Sequence, residues 1–167
     1  MMLRLSQKLS SKIKVKALRE RPLEGNPYAD WSCHVFTANR AQYIIATNTA
    51  SLYSCLVHGK GITSDRTCID RMFACVREFT EVDGQAFLYQ KFIMASCERV
   101  TFAKPWSRSV TGSMNDLIHC AKVWLVDEEL SPFDVGFKLN DMPMGALDYA
   151  KPREAFKQLA TERFEKA

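Results

Sequence analysis

The chain lacks the signatures that make a function easy to read. No stretch approaches the roughly 20 apolar residues of a spanning helix, so no membrane insertion is expected. With 7 Gly and 6 Pro in 167 residues, collagen-like and low-complexity chains are excluded. There is no Gly-x-x-x-x-Gly-Lys-Ser/Thr and no Gly-x-Gly-x-x-Gly, so nucleotide hydrolysis on a glycine-rich phosphate loop has no support. Cys33, Cys55, Cys68, Cys75, Cys97 and Cys120 form no Cys-x-x-Cys and no short Cys/His cluster, which argues against structural zinc. Met1-Met2-Leu3-Arg4-Leu5 reaches a charge before any apolar signal region, so the expected location is the cytoplasm, with all six thiols reduced. No cofactor and no metal are expected.

What is present is the balance of a folded domain, 47% hydrophobic and 25% charged. At this length about 70% of the unfolded surface can be buried, enough for one core without a staple. The expected organisation is a single domain over residues 1–167, with strands to about residue 60 and helices dominating the remainder. Met2–Leu5 reads as a strand, and Ser6 caps a helix to about Lys14. Residues 22–30 read as a loop. Trp31 to Ala38 alternates as a strand, Asn39-Arg40 turns, and Gln42–Thr47 returns, so this is the clearest hairpin. Leu52–Val57 is a third strand of that meander.

Beyond it, Ser64 caps a helix carrying Ile69, Met72, Phe73, Val76 and Phe79 at helical spacing, with Cys68 and Cys75 on its apolar face. Asp83-Gly84 ends it, a further helix runs through Phe87–Ile93, and Arg99–Ala103 returns as a strand. A long helix is predicted from Ser113 onward, marked by Met114, Leu117, Ile118, Ala121, Trp124 and Leu125 and ended near Leu130-Ser131-Pro132, and a last one from Pro152 carrying Phe156, Leu159, Ala160 and Phe164. Residues 133–149 carry no decisive period. The fold class is therefore α+β, an antiparallel sheet of four to five strands packed against several helices.

Charge is unevenly placed. Residues 1–21 hold seven basic groups and one acid, a net +6, while the remainder holds sixteen and eighteen, a net −2. Lys8, Lys12, Lys14, Lys16, Arg19 and Arg21 could attract nucleic acid, although Lys8, Lys12 and Lys16 against Leu5, Leu9 and Ile13 also make an ordinary amphipathic helix.

The densest polar run is Arg108-Ser109-Val110-Thr111-Gly112-Ser113-Met114-Asn115-Asp116, predicted where a loop enters a helix. Free N–H groups, a Gly, hydroxyls and an Arg would suit phosphate or carboxylate, whereas Ser113 with Asp116 fits a capping box that would consume part of that capacity. Asn115, His119 and Lys122 share one face of the helix, normally its wet face. Cys33 and His34 point to opposite faces of a strand, so they do not make a thiolate–imidazole pair. His58 reads as a turn residue, and Asp127-Glu128-Glu129 as a solvated surface.

Together, Trp31-Ser32-Cys33-His34-Val35-Phe36, Asn39-Arg40, Thr47-Asn48, Leu52-Tyr53-Ser54 and the Arg108–Asp116 block resemble a family of bacterial domains of unknown function. Its pattern opens with a short strand and a Lys-rich helix, then Trp-His-Ala-Asn, Arg at the hairpin turn, Thr-Asn before Leu-Tyr-Ser, and Arg-Ser-Val-Leu-Gly-Ser-Met-Asn-Asp. The resemblance spans residues 1 to about 120 and extends faintly to Leu139-Asn140 and Pro143. It departs where Ser32 follows Trp31 in place of His, with His34 standing where the pattern has Asn. It implies an architecture and a focus of interest, with no activity attached.

The functional expectation is a binding or accessory module that presents Arg108, Ser109, Thr111, Ser113, Asn115 and Asp116, with Trp31, Arg40 and His34, to a small anionic ligand or a protein partner. One alternative is a small enzyme for a phosphorylated or nucleotide-like substrate, with Asp116 or His34 as acid or base. Another is nucleic-acid binding through the basic N-terminal segment.

Overall fold

Five strands and six helices arise from these patterns in the computed structural model, which describes residues 1–165, with side chains as far as Ala160. Strand β1 (Met2–Leu5) leads through Ser6, whose hydroxyl accepts from the Leu9 amide, into helix α1 (Gln7–Lys12). Strands β2 (Asp30–Ala38) and β3 (Ala41–Asn48) form the predicted hairpin. Asn39 and Arg40 both take positive φ, 43° and 67°, as a two-residue turn matched to strand twist demands. Strand β4 (Ser54–His58) completes the meander.

Helix α2 (Asp65–Val82) is capped by Ser64 and stops before Gly84, which takes a φ of 73° that glycine reaches without a Cβ penalty. Helix α3 (Ala86–Leu88) continues through a π turn and a 3-10 turn as far as Glu98 and reaches strand β5 (Thr101–Ala103). Helices α4 (Arg108–Val126), α5 (Pro132–Asn140) and α6 (Pro152–Glu165) follow, so the stretch without a decisive period contains a helix. The side chain of Phe164, predicted on the apolar face of α6, lies outside the described residues.

The sheet order is β4-β3-β2-β1-β5. Strand count and class are as expected, but the sheet is mixed rather than antiparallel throughout. Only β2, β3 and β4 alternate in direction, while β1 runs parallel to both β2 and β5. The physical reason is the crossover: α1 and the segment after it carry the chain back to the end from which β1 set out, so β2 starts alongside β1 in the same direction.

Helices cover both faces. Trp31, Cys33, Val35, Ile44 and Cys55 point toward α1, α2 and α6, burying Leu9, Met72, Phe79 and Phe156. Phe36, Ala38, Ile45 and Leu56 point the other way, onto Met114, Leu117 and Ala121 of α4 and Val135 and Leu139 of α5. Helix α5 straddles the β4 edge, because its Phe133 and Phe137 rings meet Phe79 of the first core, at centroid distances of 5.3 and 4.6 Å. That approach needs Gly136, where a Cβ would stand 2.7 Å from the Phe79 ring. Among the described residues no helix is long and apolar enough to cross a membrane.

Candidate functional site

The α4 face of the sheet is apolar at one end and polar at the other. Arg4 lies beside Ser32 and Ala103 in register and is only 1% exposed. Its Nε and Nη2 donate to the two Asp30 carboxylate oxygens, each at 2.8 Å. Its remaining donors reach the Arg21 and Pro22 carbonyls. Asp30 also accepts from the Glu24 amide and from Thr49 Oγ1, and the Thr49 hydroxyl meets Ser32 Oγ at 2.9 Å. A buried charge pair persists only when its lone pairs and protons are satisfied this completely. Arg4 is therefore spent on structure, and what it offers outward is a flat support: its guanidinium carbon lies 5.1 Å from the centroid of the Trp106 ring.

Trp106 is 43% exposed and forms a wall between two clefts. One, of about 420 Å³, is lined by Arg4, Glu20, Arg21, Lys104, Pro105 and Trp106. The other, of about 440 Å³, is lined by Pro105, Trp106, Ser107, Arg108, Thr111, Gly112 and Asn115. The second holds the heart of the conspicuous polar run.

That run is built differently from the expectation. Helix α4 begins at Arg108, five residues before Ser113, because Ser107 is the cap: its φ is −151° and its Oγ accepts from the Val110 amide at 3.2 Å. Arg108–Asp116 is thus the opening of a helix and not a loop. A capping box on Ser113 and Asp116 does not form, since Ser113 lies inside the helix and is buried. Hydroxyl residues and Gly are weak helix formers, so Ser109, Thr111, Gly112 and Ser113 mask the helix start in sequence. Helical spacing then sorts the run. Arg108, Thr111, Gly112 and Asn115, at i, i+3, i+4 and i+7, face the cleft together, Ser113 and Met114 turn to the core, and Ser109 and Asp116 are exposed outside the cleft lining.

Gly112 stands out energetically. A Cβ at this position would meet nothing within 4 Å, and its φ is not positive, so neither packing nor backbone conformation requires glycine. Gly112→Ala should stabilise the protein by about 0.5–1 kcal/mol in urea or thermal unfolding. A destabilised variant would show that the position serves packing after all.

The other predicted site residues do not join the cleft. Trp31 is 1% exposed on the opposite face of the sheet, where its indole N–H donates to the Tyr28 carbonyl at 2.8 Å. The hairpin register dictates this, because residues flanking Ser32 must point away from α4. Arg40 is exposed on the hairpin turn and is not among the cleft walls. His34 faces α4 but is buried, and burial holds its imidazole below the usual histidine value, so it is neutral near pH 7.

His58, His119 and Lys122 are exposed, and Glu128 of the acidic run pairs with Lys138 at 2.6 Å. Cys33, Cys55, Cys68 and Cys75 are buried free thiols, and burial pushes that of Cys68 up to about 11. No cluster of three or more metal-ligating side chains occurs among the described residues.

Two elements of the site were missed by sequence reasoning. Lys104-Pro105-Trp106 reads only as a turn, although an exposed Trp after a Pro is itself a signal. Arg4 reads as one basic residue among seven, although a charge in the middle of a short apolar strand has to find a buried partner.

Against this geometry, a family model matches residues 2–155: the chain belongs to the family described as Domain of unknown function (DUF6933). No curated protein matches it.

Proposed function

We propose that the domain is a binding module that takes an anionic group in the cleft between Trp106 and Asn115. The observation that carries this reading is Arg108: it is exposed at the mouth of the cleft and forms no ion pair with any described residue. Structural arginines elsewhere in the chain are committed, Arg4 to Asp30 and Arg153 to Asp83. Thr111 and Asn115 add polar groups one and two turns along. The bare backbone at Gly112 lets a ligand approach the helix closely. Ligand and backbone dipole favour the same sign of charge, because the cleft adjoins the N-terminal turn of a long helix.

An acid–base set has no comparable support. Asp116 and His34 are absent from the cleft walls, and His34 is buried among the residues beneath α4. A general base needs hydrogen-bond reach of its proton, and these two groups do not share a cavity with Arg108.

Titration with inorganic pyrophosphate tests the reading, followed by calorimetry and by backbone amide shifts of residues 108–115. Arg108→Ala should weaken binding by about tenfold or more, the worth of a charge-assisted contact of roughly 1.5–3 kcal/mol. The melting temperature should not move, since the side chain is exposed and unpaired. No binding to the parent protein, or binding indifferent to Arg108→Ala, overturns the proposal.

A further inference from the structure

The basic N-terminal segment and the Arg108 cleft, which look unrelated in sequence, meet in space. Helix α1 ends at Lys12, and positive φ at Lys14 and Ala17 turns the following segment across the molecule until the Arg19 carbonyl accepts from the Lys104 amide at 2.9 Å. A third cleft, of about 670 Å³, lies along this segment and takes Lys14, Lys16 and Lys104 into its lining. It shares Lys104 and Pro105 with the cleft of Arg4 and Arg21, which in turn shares Pro105 and Trp106 with the Arg108 cleft. The three therefore adjoin in a row, a stepped trench with Lys104, Pro105 and Trp106 at its divides.

Its charge is predominantly positive. Lys14, Lys16, Arg21 and Arg108 are exposed and make no ion pair among the described residues, so each keeps its charge and donors for something else. The one carboxylate in the lining is Glu20, which is 87% exposed and 3.8 Å from Lys104. At the junction stands Trp106, part of its ring open and the ring supported by a guanidinium that Asp30 holds in place.

We infer that this trench binds single-stranded nucleic acid, with Lys14, Lys16, Arg21 and Arg108 tracking successive phosphates and a base stacking on Trp106. The inference rests on the anionic reading of the Arg108 cleft and extends it. A small anion would need only one cleft. Cations in all three fit a ligand that repeats its negative charge along a line. An exposed, fixed indole between them supplies what phosphate alone does not use, a platform for an unpaired base. A duplex keeps its bases stacked on one another and out of reach of that ring, and a lipid surface does not enter a concave groove.

The test is fluorescence anisotropy of the full chain with labelled oligo-dT and oligo-U of about 12 nucleotides, at about 50 and 200 mM KCl. A duplex and inorganic polyphosphate of similar length serve as competitors. Binding to the single strands should weaken with salt, with a log–log slope near −0.7 per phosphate contact. Lys14→Glu with Lys16→Glu should cost tenfold or more without moving the melting temperature. Trp106→Leu should cost about fivefold or more against the oligonucleotides and little against polyphosphate.

Absence of oligonucleotide binding at about 50 mM KCl, with pyrophosphate still held at Arg108, sinks this inference and leaves the small-anion reading standing. Absence of both sinks both. Polyphosphate competing as well as the oligonucleotides, with Trp106→Leu neutral, or a duplex competing better than the single strands, overturns the single-strand assignment.

Discussion

Asp30→Ala should cost the fold about 3–5 kcal/mol, much of the roughly 5–15 kcal/mol that separates a typical domain from its unfolded state. The carboxylate is 2% exposed and is the counter-charge of Arg4, which is 1% exposed. Removing it leaves a guanidinium in the sheet with two carbonyls for company, and leaves the Glu24 amide and the Thr49 hydroxyl short of an acceptor. The penalty comes mainly from the orphaned charge and not from the lost attraction. Arg4→Met with Asp30→Leu should therefore lose distinctly less than the two single replacements added together. Urea unfolding of the four proteins checks this. A single-variant loss below about 1 kcal/mol would mean that water reaches the pair and that it behaves as a surface bridge.

Asn140→Ala is the second large effect, at about 2–4 kcal/mol. Asn140 is fully buried at the end of α5, and its amide clasps one residue of the edge strand from both sides. Oδ1 accepts from the Ser54 N–H and Nδ2 donates to the Ser54 carbonyl, each at 2.8 Å. The side chain acts as a one-residue sixth strand on β4. Truncation leaves two buried backbone groups without partners, each worth about 1–3 kcal/mol. Asn140→Asp sets an unpaired carboxylate in the same buried site with one oxygen against the Ser54 carbonyl, so at neutral pH it should lose at least as much as the alanine variant in urea or thermal unfolding. Equal stability of all three would show that water replaces the amide without penalty.

What could be read in the sequence was local. The alternation from Trp31 to Ala38, the Asn39-Arg40 turn, the caps at Ser6 and Ser64 and the break at Gly84 are each decided by neighbouring residues, and each stands in the structure. The parallel seat of β1 was not legible, because nothing in Met2–Leu5 says which strand it joins. The α4 start was hidden by four residues of low helix propensity, which the packing of Met114, Leu117 and Ala121 overrides.

The candidate site was legible in part. Arg108, Thr111 and Asn115 do share a surface. Trp31, Arg40 and His34 do not belong to it, because strand parity, a turn and burial place them elsewhere. Trp106 and the segment after Lys12 enter only through contacts that span about a hundred residues, which no motif records.

The seat of β1 between β2 and β5 has a consequence for how the chain assembles. The β2-β3-β4 meander closes through short connections and can gather early, whereas β1 has to wait for partners beginning at residues 30 and 101. The strand written first is flanked last. Until Thr101–Ala103 arrive, the assembling protein carries an unpaired row of amides and carbonyls along β1, in the middle of what will become the sheet. During that interval, another molecule's strand could take the place reserved for β5.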